Sequence, residues 1–170
     1  MDKISHESLL ENLKYDESTG EFTWLVSSAR RIKIGAVAGS LTSHGYISIR
    51  LLGKRYYAHV LAWFYIHKIW PTARIDHEDT CRSNNAFSNL RLATDSQNSG
   101  NSSGHSDRIS GFKGVRMFRK KFTARILSKG APKHLGTFDT PQEAAAAYDA
   151  AAVEYFGNFA RTNKMMGLLP

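Results

Sequence analysis

Residues 75–98 read IDHEDTCRSNNAFSNLRLATDSQN and hold the densest group of chemically active side chains in the chain. An apolar, strand-like start at Ile75 leads into Asp76 and His77, and a polar, Asn-rich loop follows. A second short strand is predicted over 90–94. Because adjacent strand residues point to opposite faces, Asp76 and His77 can serve different partners only if the strand ends at this pair. The polar residues after it indicate that it does.

The side chains of this stretch suit the hydrolysis of a phosphodiester. That reaction needs a base that takes a proton from water and a cation that offsets charge on the phosphoryl and leaving oxygens. His77 suits the base role, because the ordinary pKa of histidine is about 6.5. Asp76 and the amide oxygen of Asn98 suit a hard ion such as Mg²⁺ or Mn²⁺.

Each of these residues alone also fits a plainer interpretation. An Asp-His pair is often a turn beside a surface histidine, Asn98 could simply end a helix, and Asn84, Asn85 and Asn89 are common turn formers. Glu78 and Asp79 are expected to be solvated loop acids, with Asp79 as a substitute ligand. The joint spacing of His77, Asn89 and Asn98 favours a functional site over these alternatives.

Residues 45–100 resemble the HNH nucleases, in particular the phage-type and intron-homing members. The resemblance implies a ββα-metal fold, in which a strand ending in Asp-His is followed by a loop, a second strand and a helix. It implies that His77 is the general base, that Asn89 ties the loop backbone, and that Asp76 and Asn98 hold Mg²⁺ or Mn²⁺. His59 fits the family's His-x-Leu-Ala-Trp element and is assigned to packing or DNA contact.

Two features depart from this family pattern. Asn98 stands where many HNH nucleases have histidine, which favours Mg²⁺ over softer metals. The helix that carries Asn98 soon meets Gly100 and Gly104, so we expect it to have only one or two turns.

The N-terminal 57 residues predict a short helix followed by strands. The helix is expected over 5–13, strands over 21–26 and 45–52, and a hairpin partner over 54–58. A mostly apolar helix over 59–69 then leads to Pro71.

The chain beyond residue 98 predicts a linker and a second module. Residues 99–110 are rich in Ser, Gly and Asn and favour a flexible linker. Residues 111–138 predict three short strands. The segment 141–156 predicts an alanine-rich helix with Thr140 as its N-cap, Glu143 completing a capping box, and Gly157 as its stop.

The second module resembles the plant ethylene-response-factor (AP-two type) DNA-binding domain over residues 111–163. Three motifs carry the resemblance: FKGVR at 112–116, LGTF at 135–138 and AAAAYDAAA at 144–152. It implies a three-stranded antiparallel sheet packed on one helix, with the sheet face entering the major groove. The plant family's Arg-x-Trp-Gly element is absent and His134 replaces a strand Trp, so the plant target sequence is not carried over.

Basic residues alternate with apolar ones along this predicted sheet, which would place them on one face. Arg116 and Arg125 are predicted to contact bases. Phosphate contacts are predicted for Lys113, Lys121 and Lys133, and Arg119 joins the DNA-binding set. A solvated face remains the alternative for each of these side chains. The six residues are Lys113, Arg116, Arg119, Lys121, Arg125 and Lys133.

Charge and composition agree with a nucleic-acid partner. Residues 99–170 contain 11 Lys/Arg against 5 Asp/Glu, a net charge of +6, whereas residues 1–98 carry +2. Cys81 is the only cysteine, which excludes an internal disulfide and a multi-thiolate zinc site. No apolar run suits a membrane span or a signal peptide. We therefore expect an intracellular protein, in the cytoplasm of a bacterial host, of phage or mobile-element origin.

The sequence as a whole predicts an α+β, multi-module, metal-dependent endonuclease that nicks duplex DNA as a monomer. The predicted modules are a β-rich extension at 1–57, a ββα-metal core at 58–98, a linker at 99–110 and a DNA-binding domain at 111–165. The alternative is a DNA-binding transcriptional regulator whose nuclease centre is degenerate.

Overall fold

A computed structural model describes residues 3–27, 32–102, 109–128 and 130–170. The chain divides into two compact units, the first ending at Leu92 and the second beginning at Ala93. Both contain helices and small sheets, so the predicted α+β class is confirmed. Among the described residues, no helix has the length and apolar character needed to cross a membrane.

The first unit opens with a helix and a hairpin. Helix α1 (His6–Asn12) begins at Ser5, whose hydroxyl accepts a hydrogen bond from the Ser8 amide at 3.1 Å. Strands β1 (Leu13–Tyr15) and β2 (Phe22–Trp24) then pair antiparallel. Both strands bury alternate residues, which pack with Leu9 of α1 in the core of this unit.

A three-stranded antiparallel sheet and a helix complete that core. The sheet contains β3 (Ser40–Leu41), β4 (Ile47–Leu51) and β5 (Lys54–Tyr57), with β4 in the middle. Helix α2 (Ala58–His67) follows β5 directly and buries Leu61, Ala62 and Phe64. It ends two residues before the predicted end because Lys68 adopts a left-handed conformation, with φ of 62°.

The stretch that begins at Ile75 forms two hydrogen-bonded strands joined by a loop. Strand β6 (Arg74–His77) ends at the Asp-His pair, as predicted, and β7 (Leu90–Ala93) is its neighbour. The loop between them closes with a single 3₁₀ turn, η1 (Phe87–Asn89). The Glu78 amide donates to the Asn89 carbonyl at 2.9 Å, which brings the two ends of the loop together.

The second unit contains α3 (Asp95–Asn101) and a sheet packed on a helix. Strands β8 (Val115–Phe118), β9 (Lys121–Ser128) and β10 (Ala131–Phe138) form an antiparallel sheet with β9 in the centre. Helix α4 (Pro141–Phe156) has the predicted capping box at Thr140 and Glu143, and Gly157 is its C-cap, as predicted. A 3₁₀ turn, η2 (Gly157–Phe159), follows. The predicted three-stranded sheet with one helix is therefore confirmed.

Small side chains let α4 lie close to the sheet. Ala144 and Ala145 are fully buried against Val115 and Ala124, and Tyr148 and Phe156 pack around Ile126. Asn163, which is also fully buried, closes the unit. Its side chain accepts from the Lys113 amide at 2.7 Å and donates to an Asp149 carboxylate oxygen at 2.8 Å.

Three predictions about organisation differ from the structure. The boundary between the two units falls at Leu92 rather than after residue 98. The predicted N-terminal extension, residues 1–57, is not separate, because its buried residues pack in the same hydrophobic core as those of α2. Residues 99–101 of the predicted linker are helical, Asn101 and Ser110 are buried, and residues 103–108 lie outside the described residues. Strand β1 was not predicted because it follows α1 directly, and β3 was not predicted because two residues show too little alternation.

Candidate functional site in the first unit and basic face of the second

His77 lies at the end of β6 and is 4% exposed. Its Nε2 is 3.2 Å from the Oδ1 atom of Asn85, which is also buried. Burial lowers the pKa of His77, although Asn85 and the carboxylates of Asp79 and Asp76 act in the opposite direction. The imidazole is therefore neutral at neutral pH, the form that can accept a proton.

The loop after His77 is held by the side chain of Asn89. Its Oδ1 accepts from the Asp79 amide at 3.0 Å, and its Nδ2 donates at 2.9 Å to both the Asp79 carboxylate and the Asn84 carbonyl. One buried amide thus joins the start, the middle and the end of the loop. This geometry suits the role of a residue that keeps the loop, and with it His77, in place.

Asp79 is exposed, as expected for a loop acid, and its carboxylate also takes part in the hydrogen bonds that hold the loop. Its carboxylate accepts from the Cys81 amide at 2.7 Å and from the Asn84 side chain at 2.7 Å, in addition to Asn89. Burial would raise the pKa of Asp79, but the bonds from Asn84, Cys81 and Asn89 together lower it. These three bonds use most of the roughly four acceptor positions of the carboxylate, so Asp79 is a poor substitute ligand.

Thr80 has a φ of 66° in this loop. A β-branched residue is strained in the left-handed region, at a cost of about 1–3 kcal/mol. The hydrogen bond from its amide to the His77 carbonyl, at 2.9 Å, helps to maintain this conformation next to the candidate base.

Asp76 is buried and ion-paired. Its Oδ2 accepts from Arg91 Nε at 3.0 Å, and Arg91 also approaches Glu78 at 3.9 Å. The guanidinium offsets the cost of burying the carboxylate. A carboxylate has about four acceptor positions on its two oxygens, so this bond uses part of the capacity of Asp76.

His59 lies at the start of α2 and packs against His77. The two rings meet edge to face with centroids 5.1 Å apart, and the Tyr57 ring stacks on His59 at 5.5 Å. The Nδ1 atom of His59 is buried without a hydrogen-bond partner among the described residues. Burial, with a smaller contribution from His77, lowers the pKa of His59 to about 3, so this ring is neutral too.

The available oxygen donors suit a hard divalent cation. The described part of the chain has no group of three or more His, Cys, Asp or Glu side chains that could hold a metal ion. Mg²⁺, however, commonly binds through one or two carboxylates and completes its shell with water and substrate phosphate. Asp76 can supply the carboxylate. Asn98 belongs to the second unit, where it lies half-buried on α3.

The sheet of the second unit presents an outer face, the side away from α4, with two exposed arginines. Arg116 lies opposite Thr123, and Arg125 lies opposite His134. Because directly opposed residues share a face, and residues two apart in a strand do too, the outer face includes Arg116, Phe118, Lys121, Thr123, Arg125, Leu127, Pro132, His134 and Thr137. Arg116 and Arg125 are therefore positioned as the alternation predicted.

Lys113 does not lie on that face, and the prediction of a phosphate contact is wrong for it. The residue is 5% exposed, and its ammonium donates to the carbonyls of Gly100, Ser102 and Arg161 at 2.6–3.0 Å. Burial and the charge of Arg161 lower the pKa of Lys113 to about 8. This lysine joins three backbone segments within the unit.

Lys133 also departs from the predicted single basic face. It lies opposite Ile126, a core residue on the α4 side of the sheet, and its ammonium donates to the Tyr155 hydroxyl. Lys121 is exposed and pairs with Asp139 at 2.9 Å, whereas Arg119 lies in the β8–β9 turn over the Phe118 ring. Of the six predicted basic residues, three lie on the outer face within β8 and β9: Arg116, Lys121 and Arg125.

Asn85 is the site residue that the sequence did not single out. It is 2% exposed and contacts the candidate base directly, yet it sits beside Asn84 in a polar run typical of turns. Nothing in that run distinguishes the buried amide from its neighbour.

Comparison with known proteins supports the interpretation of this segment. Residues 56–99 match the sequence model of a family of HNH endonucleases. The chain is also 39% identical over 99 residues to an uncharacterised HNH endonuclease of Acanthamoeba polyphaga mimivirus, an alignment that covers 58% of this chain. The aligned part spans about half (51%) of that relative's length. The segment that carries Asp76, His77, Asn89 and Asn98 is therefore similar to the HNH endonucleases.

Proposed function

We propose that this protein is a metal-dependent HNH endonuclease that hydrolyses phosphodiester bonds in duplex DNA. The observation that carries the proposal is the state of His77. Its imidazole is buried and neutral, and it lies directly before a loop that the Asn89 side chain holds in place by hydrogen bonds. It lies inside the segment that matches the HNH family.

In this proposal the residues have separate roles. His77 accepts a proton from the attacking water, and Asn89 keeps the loop and the imidazole in place. Asp76 offers a carboxylate ligand to Mg²⁺ or Mn²⁺, and the amide oxygen of Asn98 is proposed as a further ligand from the sequence pattern. The bound cation would offset negative charge on the phosphate oxygens and on the departing oxygen.

The second unit is proposed to deliver this centre to its target. Arg116 and Arg125 on the outer face offer planar groups that can each bond a guanine edge at two points. The fold agrees with the AP-two type of DNA-binding domain that the sequence resembles. We further propose that the protein nicks one strand as a monomer and originates from a mobile element, with which the viral source of the similar protein agrees.

One observation favours the alternative, a DNA-binding regulator with a degenerate centre. Asp76 is ion-paired with Arg91, which reduces its net attraction for a cation. In an active nuclease Asp76 would have to hold the metal despite this ion pair, whereas a regulator would need no metal.

A plasmid-nicking assay separates the two. We expect the full chain to relax supercoiled DNA in Mg²⁺, and EDTA or Asp76→Ala to abolish the reaction. Glu11→Ala, which removes an exposed acid on α1, is the matched control and should nick normally. DNA binding without nicking in either Mg²⁺ or Mn²⁺ would favour the regulator. Undiminished nicking in EDTA would remove the metal from the mechanism.

A further inference from the structure

Charge is distributed unevenly along the first unit. Residues 22–75 contain eight Lys/Arg and no Asp/Glu, whereas all the acids of this unit lie in residues 1–21 and 76–92. The net charge of +2 on residues 1–98 therefore hides a strongly basic stretch, which includes the sheet of β3, β4 and β5. Such a stretch attracts a polyanion.

Two arginines of this stretch face each other on the sheet. Arg50 of β4 lies directly opposite Arg55 of β5, and both are exposed. In the described part of the chain, neither side chain has a hydrogen bond or an ion pair. Like charges directly opposite one another destabilise a sheet. An anion bound between the two guanidinium groups would remove that repulsion.

The two arginines lie on the side of the sheet away from the core. Ile49 and Leu51, which flank Arg50 in β4, are buried in the core with residues of α2. Because successive strand residues point to opposite sides, Arg50 and its partner Arg55 point to solvent. Tyr57 shares their side, since it lies two residues after Arg55 in β5, and it is 43% exposed. We call this surface, formed by Arg50, Arg55 and Tyr57, the arginine face.

The arginine face leads to the candidate base. The Tyr57 ring stacks on His59 with centroids 5.5 Å apart, and the His59 ring meets that of His77 at 5.1 Å. Arg55 lies two residues from Tyr57 along the strand, a step of roughly 7 Å. A nucleic-acid strand positioned at His77 can therefore extend over the arginine pair.

We propose that Arg50 and Arg55 bind the phosphate backbone of duplex DNA next to the bond that is cleaved. The first unit then holds DNA through contacts of its own, in addition to those proposed for the outer face of the second unit. Planar guanidinium groups bind phosphate oxygens at two points. Phosphate contacts fix the position of a protein on the duplex without reading its sequence, so the arginine face should position the candidate site rather than choose the target. The proposal rests on the proposed nuclease function for the choice of DNA as the ligand, but the binding itself does not require cleavage.

The test is the salt dependence of DNA binding by the full chain, measured by fluorescence anisotropy with a labelled random-sequence duplex in EDTA. Each phosphate contact contributes roughly 0.9 to the slope of the logarithm of the binding constant against the logarithm of salt concentration. We expect Arg50→Gln/Arg55→Gln to lower this slope by roughly two units, and each single variant to lower it by roughly one. Arg50→Lys/Arg55→Lys, which keeps both charges, should retain the wild-type slope.

Lys14→Gln/Lys68→Gln is the matched control, since it removes two exposed charges of the same unit outside the arginine face. Its slope should equal that of the wild type. A wild-type slope in a folded Arg50→Gln/Arg55→Gln protein would overturn the proposal, and so would an equal loss in the control. If the double variant failed to fold, an unchanged slope in both single variants would overturn it. A chain that shows the expected slopes but cleaves no DNA in Mg²⁺ would refute the nuclease function and leave this proposal standing.

Discussion

The buried imidazole of His59 makes the stability of the first unit depend on pH. Its pKa is lowered from 6.5 to about 3, so below 6.5 the unfolded chain binds a proton that the folded chain does not. The free energy of unfolding should therefore fall as the pH drops from 6.5 towards 3, by up to about 1.4 kcal/mol per pH unit. His77 contributes with the same sign, because burial lowers its pKa too.

Urea unfolding of wild type and His59→Phe across this range measures the effect. The phenyl ring can keep the stacking on Tyr57 and removes both the titrating group and the unpartnered Nδ1. We expect the free energy of unfolding of His59→Phe to fall less steeply with decreasing pH than that of the wild type. Identical pH profiles would show that His59 does not titrate on unfolding as its burial requires.

Single residues also show how much of the candidate site the sequence could suggest. Asp76, His77 and Asn89 could be proposed because their spacing along the chain is itself the signal. Asn85 could not, because its role depends on the loop geometry and on contacts with Tyr15 and Ser83. The burial of Lys113 likewise depends on carbonyls that come from distant points in the sequence.

Among the elements of the second unit, Lys113 connects the end of α3 to the segment after α4. Lys113→Met should lower the free energy of unfolding by about 2–3 kcal/mol, because it leaves buried carbonyls without their charged donor. Lys121→Met is the control, since its ion pair with Asp139 is exposed and stabilises little. Denaturant titration compares them, and equal losses would contradict a structural role for Lys113.

The outer face of the sheet can be tested by two variants that remove the same charge. Arg116→Ala should weaken the free energy of binding to a preferred site by about 1–3 kcal/mol and reduce sequence selectivity at one base pair. Lys133→Ala should change selectivity little, because Lys133 lies on the α4 side. The measurement is a salt titration of binding on target and random duplexes. Equal weakening on both duplexes by Arg116→Ala would make Arg116 a phosphate contact.

The elements differ in how well they could be predicted. Helix α4 was predicted to its ends because its capping box and stop are local signals. The side of the sheet on which Lys133 lies was not predicted correctly. Alternation shows which residues of one strand share a side, but the register between strands decides which residues of different strands share it. The irregularity between His134 and Gly136 in β10 changes that pairing further.

The proposed functional residues of the whole molecule are divided between two units. The first holds Asp76, His77, Asn85 and Asn89, and the second holds Asn98, Arg116 and Arg125. The segment similar to HNH endonucleases runs from residue 56 to 99 and so continues past the division at Leu92. The net charge of +6 on residues 99–170 favours attraction of the second unit to DNA phosphates.

The central claim is that His77 is the base of a nuclease. The most direct measurement is the nicking rate of His77→Ala on supercoiled plasmid in Mg²⁺, beside His67→Ala, which removes an exposed histidine of the same unit. We expect His77→Ala to lose roughly 100- to 10,000-fold in rate, the usual contribution of a general base, while DNA affinity stays nearly unchanged. His67→Ala should cleave like wild type. Turnover by His77→Ala close to that of wild type would contradict the account.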